Sequence, residues 1–358
     1  IKEELLEIKE KYGEERRTEI IEDFTSLSIE DMIAEEEMVL TITHNGYIKR
    51  TSLSTYRSQR RGGRGVQGAS SREEDFVEHL FVANTHSYIL FFTDKGKCYW
   101  VKVYDIPEGG RAAKGRAIVN LIGCEPDEKV SAFISVKEFN DDHYVVMATE
   151  KGMVKKTKLS AYSNPRKKGI YAVEIRDGDK LIEARVSTGD NDILLGTRNG
   201  KSIRFSEEQI RASGRKTMGV KGITLSSEDD RLVGMLLIKR EGTVLVATEK
   251  GFGKRTEISQ YRAQKRGGKG VLTMKTTDKV GKMVTIKEVV DKDDLMIITN
   301  QGVLIRLPVA QIRSIGRATQ GVKLIKLGEG TLVSSITRIM SEEEEDENNN
   351  TESTEPKE

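Results

Sequence analysis

A four-residue pattern, Thr-x-x-Gly, recurs six times along this 358-residue chain, and it constrains the fold more than any other feature. The pairs are Thr43/Gly46, Thr93/Gly96, Thr149/Gly152, Thr197/Gly200, Thr248/Gly251 and Thr299/Gly302. Short apolar runs precede them: Val39–Ile42, Tyr88–Phe92, Tyr144–Ala148, Ile193–Leu195, Val244–Ala247 and Leu295–Ile298. Alternating runs follow, such as Tyr47-Ile48-Lys49-Arg50. A strand, a tight turn whose glycine can take positive φ, and a second strand describe a β-hairpin.

A second landmark lies at an almost fixed distance. Gly65, Gly115, Gly169, Gly219, Gly270 and Gly321 follow their turn glycines by 19, 19, 17, 19, 19 and 19 residues. A further β-rich run then closes the unit, as in Val130–Val136, Leu181–Val186, Leu232–Ile238, Met283–Ile286 and Leu332–Ile336. The repeat is about 50 residues long and contains no helix-length apolar stripe. Such a unit reads as one sheet of about four strands, which cannot cover both of its faces alone. Stacking neighbours radially solves the problem, so the expected fold is all-β, a six-bladed pinwheel or propeller spanning 38–340. The rival arrangement, two unrelated sandwiches, would have to reproduce both landmarks six times by chance.

The formal charge of +2 conceals a strong segregation. Residues 1–37 carry 14 acids and 5 bases, and 341–358 carry 9 acids and 1 base. The intervening 38–340 holds 53 bases against 34 acids, a net of +19. A basic body between acidic ends points to a polyanionic partner, with the ends as competitors for it. The first segment, Ile1 to about Arg17, has helical character with Gly13 as a break, and 18–36 reads as linker. Residues 1–37 are therefore expected to be a connector, and the start at Ile1 suggests a fragment of a longer protein. The tail, SEEEEDENNNTESTEPKE, is too polar to fold alone. Cys98 and Cys124 have no metal-site spacing and read as reduced thiols. No apolar run reaches the roughly 20 residues of a membrane span, and no secretory signal is present.

The basic charge gathers at the second landmark of every repeat. In chain order the clusters are Arg60, Arg61 and Arg64; Arg111, Lys114 and Arg116; Arg166, Lys167 and Lys168. Then come Arg215, Lys216 and Lys221; Lys265, Arg266 and Lys269; and Arg313, Arg317 and Lys323. Equivalent positions in a circular array form a belt around the rim. A belt of lysine and arginine suits the phosphates of a bent duplex, giving sequence-independent, salt-sensitive binding. Bending DNA by 40–90° costs on the order of 1–6 kcal/mol, which a series of such contacts offsets. Interleaved glycines let loop backbone approach phosphate closely. No consistent aromatic accompanies the clusters, which argues against a single-strand reader.

The sharpest motif is Gln59-Arg60-Arg61-Gly62-Gly63-Arg64-Gly65. This box, with Gly46-Tyr47-Ile48-Lys49-Arg50 before it and Arg72-Glu73-Glu74-Asp75 after it, resembles the DNA gyrase A C-terminal domain family. The resemblance extends over essentially all of 38–340. It implies a six-bladed β-pinwheel that binds and bends duplex DNA and wraps it with positive crossing. With the N-terminal part of its own polypeptide and the gyrase B subunit, such a domain enables ATP-dependent negative supercoiling. The resemblance places the catalytic tyrosine, the ATPase and the use of ATP and Mg2+ outside this chain, which alone would cleave nothing. It assigns phosphate contacts to Arg60, Arg61 and Arg64, with Gly62, Gly63 and Gly65 shaping the loop, and joins the first blade to the last. It further implies a bacterial, cytoplasmic, nucleoid-associated protein, with the isolated domain monomeric. A near copy, Gln264-Lys265-Arg266-Gly267-Gly268-Lys269-Gly270, stands in repeat five, where the family pattern has a single box.

Other motifs carry less. Gly63, Gly65 and Gly68 spell G-x-G-x-x-G but lead into no dinucleotide-type helix, and no P-loop is present. Asp190-Asn191-Asp192 and Asp177-Gly178-Asp179 fall where hairpin loops are expected and read as turn residues. His44, His79, His86 and His143 are dispersed, and Trp100 reads as a packing residue. No catalytic constellation, metal site or cofactor is expected in the chain. Two rival functions remain. A topoisomerase IV-type domain would bind DNA with little chiral wrapping and a degenerate box. A protein-interaction propeller would show apolar or mixed clusters at the landmarks instead of charge.

Overall fold

The computed structural model describes residues 2–13, 30–43, 45–52, 77–110, 113–239, 242–301 and 304–339. The chain divides into a unit ending at Ala34 and a unit starting at Glu35. In the first, a helix spans Lys2–Tyr12 and a 3-10 turn spans Glu30–Met32. The helix ends at Tyr12, where sequence places the break, and the Gly13 N–H donates to Lys9 O at 2.8 Å.

The second unit is an all-β array of six sheets, as the repeats predict. Blade 1 uses Glu37–Thr43, Tyr47–Ser52 and Val77–Asn84; blade 2 uses Tyr88–Thr93, Lys97–Lys102 and Val130–Val136. Blade 3 uses Tyr144–Thr149, Met153–Lys158 and Leu181–Ser187; blade 4 uses Asp192–Thr197, Lys201–Ser206 and Leu232–Ile238. Blade 5 uses Thr243–Thr248, Phe252–Glu257 and Met283–Val289; blade 6 uses Asp294–Thr299, Leu304–Pro308 and Val333–Ile339. In every blade the first strand lies between the second and the closing strand, all antiparallel. The closing strands of blades 2 to 6 lie in succession, and that of blade 6 lies beside that of blade 1. Phe81 stacks on Phe133 across blades 1 and 2 with ring centroids 5.1 Å apart. The closing strands therefore run around the middle of the array, and the second strands face outward.

The Thr-x-x-Gly turns behave as their chemistry requires. Gly46, Gly96, Gly152, Gly200 and Gly251 have φ between 75° and 83°, and each donates its N–H to the turn threonine's carbonyl. In blades 1 to 4 the threonine hydroxyl then accepts from the residue after the glycine, as in Tyr47 N to Thr43 Oγ1 at 3.2 Å and Met153 N to Thr149 Oγ1 at 3.2 Å. A backbone donor at the hairpin mouth is thereby satisfied. Gly302 lies outside the described residues.

One expectation needs correction. The fourth strand of a sheet does not come from its own repeat. Blades 1 to 5 each receive a two-residue outer strand from the repeat that follows: Arg116–Ala117, Ile170–Tyr171, Val220–Lys221, Val271–Leu272 and Val322–Lys323. Each begins immediately after its second-landmark glycine. Blade 6 has three strands among the described residues. Two residues are too short to carry a hydrophobic period, so this exchange leaves no pattern in sequence. Repeat 2 also contains a short helix, Ile118–Ile122, whose Ile118 and Ile122 are buried.

The hydrophobic cores sit between blades. One cluster joins Leu40 and Ile48 to Ile89 and Phe91; the next joins Phe92 to Val145 and Tyr162; a third joins Val146 to Ile193 and Phe205. Two more bridge blades 4 and 5 and blades 5 and 6. Each sheet covers its neighbour's exposed face, and fully buried Leu, Ile or Phe side chains contribute about 1.5–3 kcal/mol apiece.

Candidate nucleic-acid interface

The basic clusters occupy one equivalent position in each described blade, and backbone register sets that position. The outer strand always pairs with the first two residues of the preceding blade's second strand: Ala117 with Tyr47, Tyr171 with Lys97, Lys221 with Met153, Leu272 with Lys201, and Lys323 with Phe252. The cluster stands just before or on this strand, so all described clusters fall on the outer edge.

The landmark glycines permit that pairing. Gly115, Gly169, Gly219, Gly270 and Gly321 have φ between 68° and 80°. A Cβ on Gly219 would lie 2.3 Å from Val154 O, and one on Gly270 would lie 2.4 Å from Ser202 O. Only glycine admits both the backbone conformation and the approach of the receiving strand.

Among the predicted contact residues, Lys114, Arg116, Arg166, Lys167, Lys168, Lys216, Lys221, Lys265, Lys269, Arg313 and Lys323 are exposed. Lys114 Nζ sits 4.0 Å from the Tyr47 ring centroid and Lys323 Nζ sits 5.7 Å from that of Phe252, so aromatic faces carry part of the cationic belt. Arg215, Arg266 and Arg317 are half-buried. Arg266 donates to Gln209 O at 3.0 Å and to Lys221 O at 3.2 Å, and Arg317 donates to Leu272 O at 2.9 Å. These arginines tie one rim loop to the outer strand before it. Thr217 O accepts from Glu174 N and Gly268 O from Thr224 N, so the clusters of repeats 3 to 6 form a connected edge. Gln59, Arg60, Arg61, Gly62, Gly63, Arg64, Gly65 and Arg111 lie outside the described residues.

Sequence reasoning missed a second set of side-chain donors, four cations and one indole. Four residues after the turn glycine, the second strand presents Arg50, Trp100, Lys156, Arg204 and Arg255 in blades 1 to 5. Each reaches the short 3-10 turn of the next repeat. Arg50 Nε donates to Ile106 O at 2.7 Å, Trp100 Nε1 to Tyr162 O at 2.9 Å, and Lys156 Nζ to Glu207 O at 3.3 Å. Arg204 Nη1 donates to Tyr261 O at 3.2 Å and Arg255 Nε to Ile312 O at 2.8 Å. These side chains clamp the exchanged segment onto its host blade. Only their constant offset from the turn glycine could have separated them from rim charge.

The aspartates read as turn residues act within turns and ion pairs. Asp179 accepts from Thr149 Oγ1 at 2.6 Å and from Lys151 N at 2.8 Å, while Asp192 pairs with Arg204 at 2.6 Å. Among the described residues no group of three His, Cys, Asp or Glu is arranged to hold a metal. Cys98 is buried, and burial pushes its thiol well above the ordinary range. No described helix is long and apolar enough to cross a membrane.

A family model described as "DNA gyrase C-terminal domain, beta-propeller" matches six times, at residues 37–84, 87–137, 143–188, 191–239, 242–289 and 293–339. The chain belongs to this family. Each match begins at or close to a blade's first strand and ends at or near its closing strand. The chain is 47% identical to the DNA gyrase A protein of Staphylococcus epidermidis (strain ATCC 12228 / FDA PCI 1200) over 96% of its length. It is 47% identical to the DNA gyrase A protein of Staphylococcus aureus (strain COL) over 95%. It spans 39% of the length of both relatives. Among solved structures it is similar to a C-terminal domain of DNA topoisomerase IV, with TM-score 0.77 and 26% identity over 90% of this chain and 100% of that one. It shares its fold with a DNA gyrase A C-terminal domain, with TM-score 0.68 and 24% identity over 85% of this chain and 100% of that one.

Proposed function

We propose that this domain binds duplex DNA along its basic outer edge, bends it and wraps it with positive crossing. Within a gyrase, with the N-terminal part of its own polypeptide and the B subunit, this wrapping presents DNA for ATP-dependent negative supercoiling. ATP hydrolysis, Mg2+ use and strand cleavage belong to those other parts. The observation that carries the reading is the constant register of the outer strands, which repeats a cationic cluster at the same edge of successive blades. Exposed side chains there are free to meet phosphates, while the half-buried arginines hold the loops that present them.

In repeats 2 to 6 the two residues after the landmark glycine complete the preceding blade. The box of repeat 1, Gln59–Gly65, lies outside the described residues, and its proposed role, as in the family it resembles, is to help the first blade meet the last. Residues 1–37 would serve as the connector from the cleavage core, and the acidic 341–358 would compete with DNA for the rim.

A topoisomerase IV-type reading is favoured by the 0.77 TM-score to such a domain. The intact box and the 47% identity to gyrase A relatives favour the gyrase reading. Binding itself is tested by titrating a fluorescent duplex of about 40 base pairs at several salt concentrations. Log affinity should fall linearly and steeply with log salt, and single strands should compete poorly. Salt-independent binding, or none at low salt, would remove the reading.

A further inference from the structure

Three lysines are buried directly beneath the rim. Lys49, Lys155 and Lys254 stand three residues after the turn glycines of blades 1, 3 and 5, and are 3%, 1% and 0% exposed. The matching residues of the even blades are Tyr99, Ile203 and Ile305, so the cation occurs in alternate blades. A buried ammonium is costly unless it is hydrogen-bonded, and each of these points into the rim loop of the next repeat. Lys49 Nζ donates to Gly110 O at 3.1 Å. Lys155 Nζ donates to Ala172 O at 2.7 Å and to Arg215 O. Lys254 Nζ donates to Gly316 O at 2.7 Å, Thr319 Oγ1 at 3.0 Å and Arg317 O.

The three loops share a pattern at these contacts, Gly110-Arg111, Gly214-Arg215 and Gly316-Arg317. The described loops hosted by blades 2 and 4 differ. The repeat-five loop turns at Gly267, with φ 80°, and is tied down through Arg266. The loops hosted by blades 1, 3 and 5 thus share a feature that the repeat-five loop lacks.

We propose that Lys49, Lys155 and Lys254 are positioning residues for DNA: each buried ammonium shapes one rim loop and adds positive charge beneath the phosphate it receives. This rests on the DNA-binding reading above. The electrostatics around two of the sites favour an anion. Arg215 faces Lys155 with the same sign and Glu174 opposes it; Arg317 faces Lys254 with the same sign. Burial first, and the neighbouring guanidinium second, lower the Lys155 ammonium to about 7 and the Lys254 ammonium to about 8. A phosphate on the loop reverses that imbalance, so DNA binding draws protons onto these lysines.

The test compares the full chain with its Lys155→Met/Lys254→Met variant, measuring duplex affinity from pH 6.5 to 9 at fixed salt. The wild type should lose affinity as pH rises through the range where these lysines discharge. The variant, with the same melting cooperativity, should bind roughly tenfold more weakly at pH 6.5, with a flatter profile. A folded variant that keeps wild-type affinity and pH dependence overturns the inference and leaves the DNA-binding reading standing. Wild-type protein that binds no duplex overturns both. If the variant does not fold, the wild type decides alone through proton uptake on mixing with DNA at pH 8, measured in buffers of different ionisation enthalpy. Uptake supports the inference, and its absence overturns it.

Discussion

Arg255 Nε lies 2.8 Å from the carbonyl oxygen of Ile312, a residue of the following repeat. The guanidinium is almost fully buried and also pairs with Asp291. Through this contact a cation that reads as surface charge becomes the bolt between two repeats. Lysine cannot reproduce the planar fork that serves both partners. Arg255→Met should cost about 2–3 kcal/mol in urea unfolding, because a buried carbonyl loses its charged donor. Arg185→Met, at an exposed pair with Glu183, should cost less than about 0.5 kcal/mol. Equal losses would contradict the clamp.

The two classes of glycine should respond differently to alanine. Gly46 and Gly219 have φ of 75° and 78°, so both substitutions force a side chain into the left-handed region. A Cβ at Gly46 meets nothing within 4 Å, whereas one at Gly219 meets Val154 O at 2.3 Å. Gly46→Ala should cost about 1–2 kcal/mol from conformation alone. Gly219→Ala should cost more and should loosen the Val220–Lys221 strand, visible as faster amide exchange at Gly222, whose N–H donates to Gly152 O at 2.9 Å.

Stability should rise with pH where most proteins lose it. Lys155 and Lys254 have folded-state values of about 7 and about 8, against 10.5 for an ordinary lysine. Between these values the unfolded chain holds more protons than the folded one, so deprotonation favours folding. The penalty is full below about pH 7 and vanishes as pH approaches 10.5. Each group contributes a slope of up to about 1.4 kcal/mol per pH unit inside its window. Denaturant midpoints should therefore increase from pH 7 to 9.5, and Lys155→Met should reduce that increase.

The rim cations should act as independent phosphate contacts. Lys216 and Lys221 are exposed in the repeat-four cluster. Replacing both with alanine should weaken binding evenly across DNA sequences and reduce the salt slope by roughly one for each phosphate that is no longer neutralised. An unchanged slope would place DNA elsewhere on the domain.

Much of this architecture was legible from spacing. The Thr-x-x-Gly turns and landmark glycines located the hairpins because turn chemistry is local and leaves a residue-level mark. The clusters around Lys114, Lys168, Lys221, Lys269 and Lys323 were legible for the same reason. The strand exchange was not, since Val220–Lys221 is two residues long and its partner lies in another repeat. The inward cations were also hidden. Lys155 and Arg255 sit in alternating strands of mixed polarity, and only their tertiary neighbours decide that their charged ends are buried.

The most direct test of DNA wrapping is ligation of nicked plasmid in the presence of rising amounts of this chain, read on two-dimensional topoisomer gels. Wild-type protein should trap positive supercoils in proportion to occupancy. A variant with Arg60, Arg61 and Arg64 replaced by alanine should bind but trap far fewer. Duplex binding by the wild type with no change in linking number would contradict the account.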